Sequence, residues 1–509
     1  MSTATAAITT ADSPPMTTNV ASSSTITANS DIYLSGMDNL FRMIEHPRRR
    51  MTVTSLWTFK SAIDKDAMRE AIQTLCEQYP RFRLVPQTRK ISIIPSLIQP
   101  AKWAQPTYKD WMPMDNVTEH HLEHPTTEAL QQLCSSLVSE PFDPTKPLWE
   151  IHAISGLANN AYGIFWKAHH CIADGEGFIR GLLSTTSMNS SLEEIKKQSV
   201  LTHRKKVEKH KDLKKTQSSQ LTYSFKKGPS VMLAYLIMQL QIVYFWCMVL
   251  LHDAYCFFLC LLPTLNWVRH DFRYPEEQSS QKEMAWSEDV SIADIRTVRQ
   301  AFAGSTLNDV MLAVIARCIK HYLEQDIHSR KDDYATLLIP LSLRKPMDWS
   351  TRNVVSGHFG FFSIQDLATP QLLQQVKQEM WAVKSSSMPR LFNAFYNAIV
   401  GHLNLPQWIW DHYTGLFHGV FTNVPGPTVP IQFANQDIQE YYAFPPQTGK
   451  GSVGMGLLSY CGKVRLGAIA DKADKYYPHL AKGICERFTK EFEVILEEAK
   501  LELSNRKEA

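Results

Sequence analysis

The sequence predicts a mixed α/β fold in two globular parts separated by an apolar insertion. Three observations carry that prediction. Strand-like runs alternate with amphipathic helices on both sides of residues 195–282. Val231–Leu251 is 21 residues long, with no formal charge and only Gln239 and Gln241 polar. No segment repeats at a fixed period of 20–50 residues, which sets solenoids and propellers aside. The boundaries read as a Ser/Thr/Ala-rich disordered tail over 1–30, a first part over 31–194, a basic and apolar linker over 195–282, and a second part over 283–509.

Met51–Phe59 ("MTVTSLWTF") is rich in β-branched and aromatic residues and reads as a strand. Met68, Ala71, Ile72, Leu75, Cys76 and Tyr79 then keep helical spacing between a cap at Asp64 and a stop at Pro80. Pro147–Leu157 and Ala161–His170 read as neighbouring strands around the polar turn Ala158-Asn159-Asn160, and a helix begins near Glu176. In the second part, Leu307 to Leu323 holds an unbroken helical stripe, with Thr306 and Asp309 spaced as a capping box. Strand-like runs follow at Ala335–Leu343, Val355–Ile364 and Gly456–Asp471, and a last helix covers roughly Tyr477–Leu503.

Charge is uneven. The 509-residue chain carries +3, but Lys196–Lys227 holds eleven Lys/Arg against Glu208 and Asp212, a local +9 that leaves −6 elsewhere. By itself the basic run suits an anionic partner such as membrane lipid or RNA, or a solvated linker. The adjoining apolar segment of bilayer length, with Lys226 and Lys227 before it and Arg269 and His270 after, favours lipid. Three readings of the apolar segment stay open: a spanning or re-entrant helix, a monotopic helix, and a buried core helix. The nine cysteines form no C-x-x-C pair and fall on apolar faces, so neither a disulfide scaffold nor a zinc site is expected. The N-terminus lacks the apolar core of a signal peptide and the arginines of a mitochondrial presequence.

The chemistry concentrates in Phe165–Leu183, "FWKAHHCIADGEGFIRGLL". An imidazole near its working pKa can take a proton from an alcohol as that oxygen attacks a carbonyl. A histidine at a strand end, before a turn, is placed for that work. Asp174 can fix the turn by hydrogen bonds or by pairing with an arginine, and Gly175 admits backbone geometry that a side chain resists. An ordinary strand end explains the same residues about as well. His169 and His170, being adjacent on a strand, point to opposite faces and do not share a metal ion; no metal is expected. "GKGSVG" (Gly449–Gly454) matches G-x-G-x-x-G, yet prolines precede it and a strand pattern follows, so it is a turning loop rather than a dinucleotide site. No G-x-S-x-G elbow is present.

"HHCIADG" matches the HHxxxDG motif of the chloramphenicol-acetyltransferase-like acyltransferases. Within that superfamily the chain resembles the wax ester synthase/diacylglycerol acyltransferase family. Leu34–Asp38 ("LSGMD"), Tyr79–Arg83 ("YPRFR"), Pro147–Glu150 ("PLWE"), Leu307–Leu312 ("LNDVML"), Pro340–Arg344 ("PLSLR") and Thr422–Pro427 ("TNVPGP") fall in family order over roughly residues 31–495. The DFGWG segment of plant alcohol acyltransferases is absent.

The resemblance implies two chloramphenicol-acetyltransferase-like subdomains with an active-site tunnel between them, and a membrane-associated insertion. It implies His170 as general base, with His169 as its motif neighbour. Asp174 would be structural, Gly175 would preserve the turn and access to the channel, and Asn308 and Asp309 form the family's Asn-Asp pair near the histidines. Asn308 would donate to the polarised carbonyl, while helix capping alone accounts for Asp309. Arg344 would pair with Asp174 across the halves, and Asn423, Pro425 and Gly426 would form a rigid bend. The implied partners are acyl-CoA as co-substrate and a lipid alcohol or diacylglycerol, with no further cofactor and no nucleic acid. The products would be triacylglycerol or wax ester and CoA. The implied location is the endoplasmic reticulum or lipid-droplet membrane, with the catalytic part facing the cytosol. Two alternatives are a superfamily acyltransferase for a sterol or secondary-metabolite alcohol, and a non-catalytic lipid-binding relative.

Overall fold

The computed structural model describes residues 33–88, 97–195, 229–261, 279–325, 333–345, 348–447, 449, 452–473 and 478–508. The N-terminal tail, the basic run and the flanks Lys226, Lys227, Arg269 and His270 lie outside the described residues. In the first part come α1 (Gly36–Met43), β1 (Thr52–Phe59), α2 (Lys65–Gln78), β2 (Val85–Thr88), β3 (Ala101–Ala104), β4 (Val117–His121), α3 (Thr127–Ser139), β5 (Trp149–Ser155), β6 (Tyr162–His169) and α4 (Gly175–Leu183). The apolar segment is one helix, α5 (Pro229–Leu261). After it come β7 (Lys282–Trp286), β8 (Val290–Ser291), α6 (Ile292–Ala301), α7 (Leu307–Gln325), β9 (Tyr334–Ser342), β10 (Val355–Ser363), α8 (Thr369–Ser385), α9 (Met388–Ala398) and α10 (Gln407–Thr414). The chain closes with β11 (Gly419–Pro425), β12 (Gln432–Phe433), β13 (Gln436–Phe444), β14 (Val453–Tyr460), β15 (Lys463–Asp471) and α11 (Leu480–Glu508).

The helices start where their caps predict. Asp64 Oδ1 accepts from the Ala67 N–H at 2.8 Å, and the Thr306–Asp309 box closes in both directions at 2.7 and 3.3 Å. Each box or cap satisfies donors that the first helical turn leaves unpaired.

Two sheets form the frame. The first runs β12-β13-β1-β6-β5-β4 and the second β10-β9-β11-β14-β15-β7, with β8 beside β15. Strands β12 and β13 come from the C-terminal part of the chain, yet they extend the first sheet, with Thr54 opposite Phe444. The two parts are therefore interlocked. Trp57 packs its ring against Trp166, Phe433 and Tyr441 at centroid distances of 5.3–5.4 Å, so the first core includes C-terminal residues. In return, α3 covers the edge of β7. Ser139 Oγ and Ser135 Oγ accept from the backbone N–H groups of Lys282 and Met284 at 2.9 and 2.8 Å, which leaves that edge closed to strand pairing. The second core sits between the second sheet and helices α6, α7, α8 and α11.

Helix α5 is no core helix. Leu236–Tyr255 is long and apolar enough to cross a membrane, and only 11% of its most apolar window is buried. It touches the body through a narrow stripe: Phe245 lies against Trp381 at 3.8 Å between ring centroids, and Val249 and Asp253 are buried. Leu240, Tyr244, Leu250, Leu251 and Phe258 face outward. The buried-helix reading of the sequence is thereby removed.

Candidate active site

Strand β6 pairs on both sides, and its register with β1 sets Thr52 opposite His169, so the chain leaves the sheet at the two histidines. The His170 N–H donates to the Met51 carbonyl at 2.7 Å, which continues the ladder one step beyond the strand. The rings then diverge, as strand alternation requires.

His169 turns into the first part. Its Nδ1 accepts from the Cys171 N–H at 3.0 Å, so the ring proton sits on Nε2, 3.5 Å from Glu45 Oε2. That carboxylate also accepts from the Met51 N–H at 2.6 Å. Burial resists the Glu45 charge, but these donors hold its carboxyl below the usual range. His169 does not line the cavity described below, which limits it to fixing the strand end.

His170 points the other way, into an apolar cavity between the two parts. Its ring stacks on Phe41, with centroids 3.9 Å apart and planes 22° from parallel. Nδ1 lies 2.9 Å from Asn353 Oδ1. The Asn353 amide nitrogen donates to Asp38 Oδ1 at 2.9 Å and to the His170 carbonyl at 2.7 Å, so its oxygen must be the atom facing the ring. Nδ1 therefore carries the proton, and Nε2 keeps its lone pair. Asp38 is fully buried; it caps α1 together with Ser35, accepts from the Asn353 N–H at 2.9 Å and pairs with Arg81 at 2.9 Å. Burial opposes its charge, and Arg81 with the Asn353 donors outweighs that, holding the carboxyl below its ordinary value. For His170 burial dominates and lowers its pKa, which keeps the ring neutral and able to accept a proton.

Asp174 is the N-cap of α4. Its Oδ1 accepts from the Gly177 N–H at 2.8 Å, its Oδ2 from the Val354 N–H at 3.0 Å, and Arg344 Nη2 donates to both oxygens at 2.8 and 2.9 Å. The expected Asp174–Arg344 pair thus joins the two parts, with both side chains at most 5% exposed. Gly175 has one of its two expected roles corrected, the backbone freedom, while the access it leaves to the cavity is as expected. It occupies the first turn of α4, outside the left-handed backbone region, and a Cβ there meets nothing within 4 Å. Conformational freedom is not what it supplies; it leaves space open on the cavity wall beside His170.

Asn308 also departs from expectation. Along β11, Val420, Thr422 and Val424 line the cavity, while Asn423 alternates to the other face of the sheet. Asn308 Oδ1 accepts from Asn423 Nδ2 there, and neither residue lines the cavity. The pair ties α7 to β11. Asp309 is the capping-box acid.

The cavity has an empty volume of about 1340 Å³, its open mouth included. Its walls come from α1, β1 and α4 on one side and from β9, β10, α10 and β11 on the other. They are mostly apolar, as a site for an acyl chain requires. Two buried hydroxyls of wall residues, Thr54 Oγ1 and Ser356 Oγ, have no hydrogen-bond partner among the described residues. Sequence reasoning placed Asp38 and Arg81 within motifs but gave them no role, and it missed Asn353 and Ser356. Asn353 lies 183 positions from His170, and no local periodicity marks it.

Replacing Asn353 with alanine frees the ring to turn and to change tautomer. Leaving the buried ring N–H without its partner costs roughly 1–3 kcal/mol, or about 5- to 150-fold in rate. We expect kcat to fall by that factor with KM little changed; a KM-only effect contradicts the orienting role.

Two family models match the chain, one on each side of the apolar helix's middle. The wax ester synthase/diacylglycerol acyltransferase catalytic domain matches residues 34–236, and the WS/DGAT C-terminal domain matches 354–495. The probable diacylglycerol O-acyltransferase tgs1 of Mycobacterium tuberculosis is 26% identical over 356 residues, covering 68% of this chain and 71% of the relative. The probable diacylglycerol O-acyltransferase tgs2 of the same species is 25% identical over 464 residues, covering 87% and 94%. Among solved structures, the wax ester synthase/diacylglycerol acyltransferase of Marinobacter aquaeolei superposes with a TM-score of 0.57 at 17% identity, covering 92% of this chain and 99% of that one. A starter condensation domain of rhizomide synthetase, solved with C8-CoA, gives 0.52 at 13% identity over 92% and 94%. These likenesses fix the fold as the two-part condensation-domain type. With both of its domain models matched in order, the chain belongs to the wax ester synthase/diacylglycerol acyltransferase family of acyltransferases.

Proposed function

We propose that the protein transfers an acyl group from acyl-CoA to a lipid hydroxyl, with diacylglycerol as the main acceptor and a long-chain alcohol as the second. The observation that carries this is the neutral His170, its Nδ1 proton held by Asn353 and its free Nε2 beside an apolar cavity. Nε2 takes the acceptor's hydroxyl proton as that oxygen attacks the thioester carbonyl carbon. The tetrahedral carbon then expels sulfur, the C–S bond breaks, and Nε2–H returns the proton to the CoA thiolate. The histidine never becomes acylated.

The acceptors named are membrane lipids, and the bare apolar face of α5 supports a membrane location. Endoplasmic reticulum or lipid droplet, with the cavity on the cytosolic side, is the reading that suits a lipid-synthesising enzyme. One preparation tests both points: carbonate-washed membranes from cells expressing the chain, given labelled acyl-CoA with diacylglycerol, hexadecanol or a sterol. Label should enter triacylglycerol first and wax ester second, and activity should remain in the pellet. Sterol ester as the main product overturns the acceptor assignment. Absence of CoA release with every acceptor favours a lipid-binding relative, and activity in the wash removes the membrane anchor.

A further inference from the structure

Apolar helix α5 carries two ionisable residues at its centre of contact with the body, His252 and Asp253. Ionisable groups in a segment this apolar are costly and call for a specific partner. Here they meet His358 of β10 and Glu379 of α8. His252, Asp253 and His358 each present a ligand atom, all within 4.8 Å of one another, and Asp253 and His358 are buried.

The hydrogen-bond pattern is that of a cation site. His358 Nδ1 lies 2.8 Å from the Phe359 carbonyl, so Nδ1 carries a proton. The opposite nitrogen, Nε2, points at Asp253 Oδ1, 3.1 Å away. In the neutral ring, two lone pairs then face each other, and something positive must sit between them. A backbone carbonyl that fixes Nδ1–H and aims Nε2 is also the usual support of a metal-binding histidine. Asp253 Oδ1 already accepts from Ser386 Oγ, whereas Asp253 Oδ2 is buried with no partner among the described residues. That orphaned oxygen on a buried carboxylate is the second observation that points to a ligand, since such groups are normally satisfied. His252 Nε2 stands 2.9 Å from Glu379 Oε1, which accepts from the Phe361 N–H at 2.9 Å and so holds a second histidine in place.

We propose that His252, Asp253 and His358 bind a divalent metal ion of zinc type, which staples α5 to the body. Two imidazoles and a carboxylate are a donor set that suits zinc. Ligand atoms about 2.0–2.1 Å from one tetrahedral ion stand roughly 3.3 Å apart, close to the His358–Asp253 spacing. This site is separate from the His170 cavity, so its metal is structural. The rival occupant is a single proton on His358, which would make the contact a plain ion pair.

The full chain, solubilised in detergent and purified without chelator, decides between them. Elemental analysis should find about one zinc per chain. Cobalt(II) added after chelator treatment should give the visible absorption of a tetrahedral site with nitrogen ligands. His358→Gln and Asp253→Asn should each weaken zinc binding at least 10-fold in a competition titration. Wild-type protein that holds no stoichiometric metal and takes up no cobalt overturns the proposal, whether or not the variants fold. Unchanged zinc affinity in folded His358→Gln does so as well.

Discussion

Substituting His170 with alanine should lower acyl transfer by about 10³-fold, within the range that a positioned general base contributes, while the melting temperature changes little. The ring bonds to the Asn353 side chain and stacks on Phe41 at the cavity wall. Its removal enlarges an existing cavity rather than opening a new one in the core. The sign of the pH dependence follows from burial. Burial lowers the His170 pKa, and the neutral ring is the active form. The acid limb of kcat/KM should therefore fall below the ordinary histidine value of about 6.5, with activity lost as pH drops through that limb. Labelled-ester formation across about pH 4.5–8.5 (roughly two units either side of that value) measures it. An acid limb above the ordinary value, or turnover within a few-fold of wild type in His170→Ala, overturns the base assignment.

The largest stability effect should come from Asp174. It caps α4, accepts from the Val354 N–H and pairs with Arg344, all away from solvent. Breaking a buried pair by removing one partner costs roughly 3–5 kcal/mol because the other charge is left without compensation. Asp174→Ala should show that loss in urea unfolding, together with reduced activity, since α4 and the segment carrying Asn353 both lose their anchor. Arg344→Met should resemble it. The double variant should be less destabilised than the sum of the two, as expected for groups in direct contact. Additive losses would mean that the two side chains act independently, contrary to the bonds seen between them.

The sequence was most legible where local pattern and burial agree. The α2 and α7 stripes, the β1, β5 and β6 runs and the Asp64 and Thr306 caps all lie where spacing and capping chemistry put them. The last helix begins at Leu480 rather than near Tyr477, an ordinary boundary difference. The Asp174–Arg344 pair was also within reach, because a buried carboxylate at a turn needs a cation.

Asn308 shows where such reasoning ends. Its place at the start of α7 is correct, but the side of the sheet it faces depends on β11 alternation and on where the second part docks. Gly175 shows a second limit: the motif implied both a special turn and an open channel wall, and only the packed structure shows that the backbone there is ordinary and the space is what remains.

By itself, the sequence determined the two-part α/β character, the apolar helix, the histidine turn and the family, because periodicity, caps and contiguous motifs are local properties. Tertiary structure alone decided three things. It brought β12 and β13 into the first sheet, closing a core around Trp57 that no cut of the chain can separate. It set Asn353 against His170 and Asp38, fixing which ring nitrogen is free. It laid His252 and Asp253 against His358, giving the apolar helix a polar anchor. Each joins residues more than 100 positions apart, and only the packed chain brings such residues within hydrogen-bonding distance.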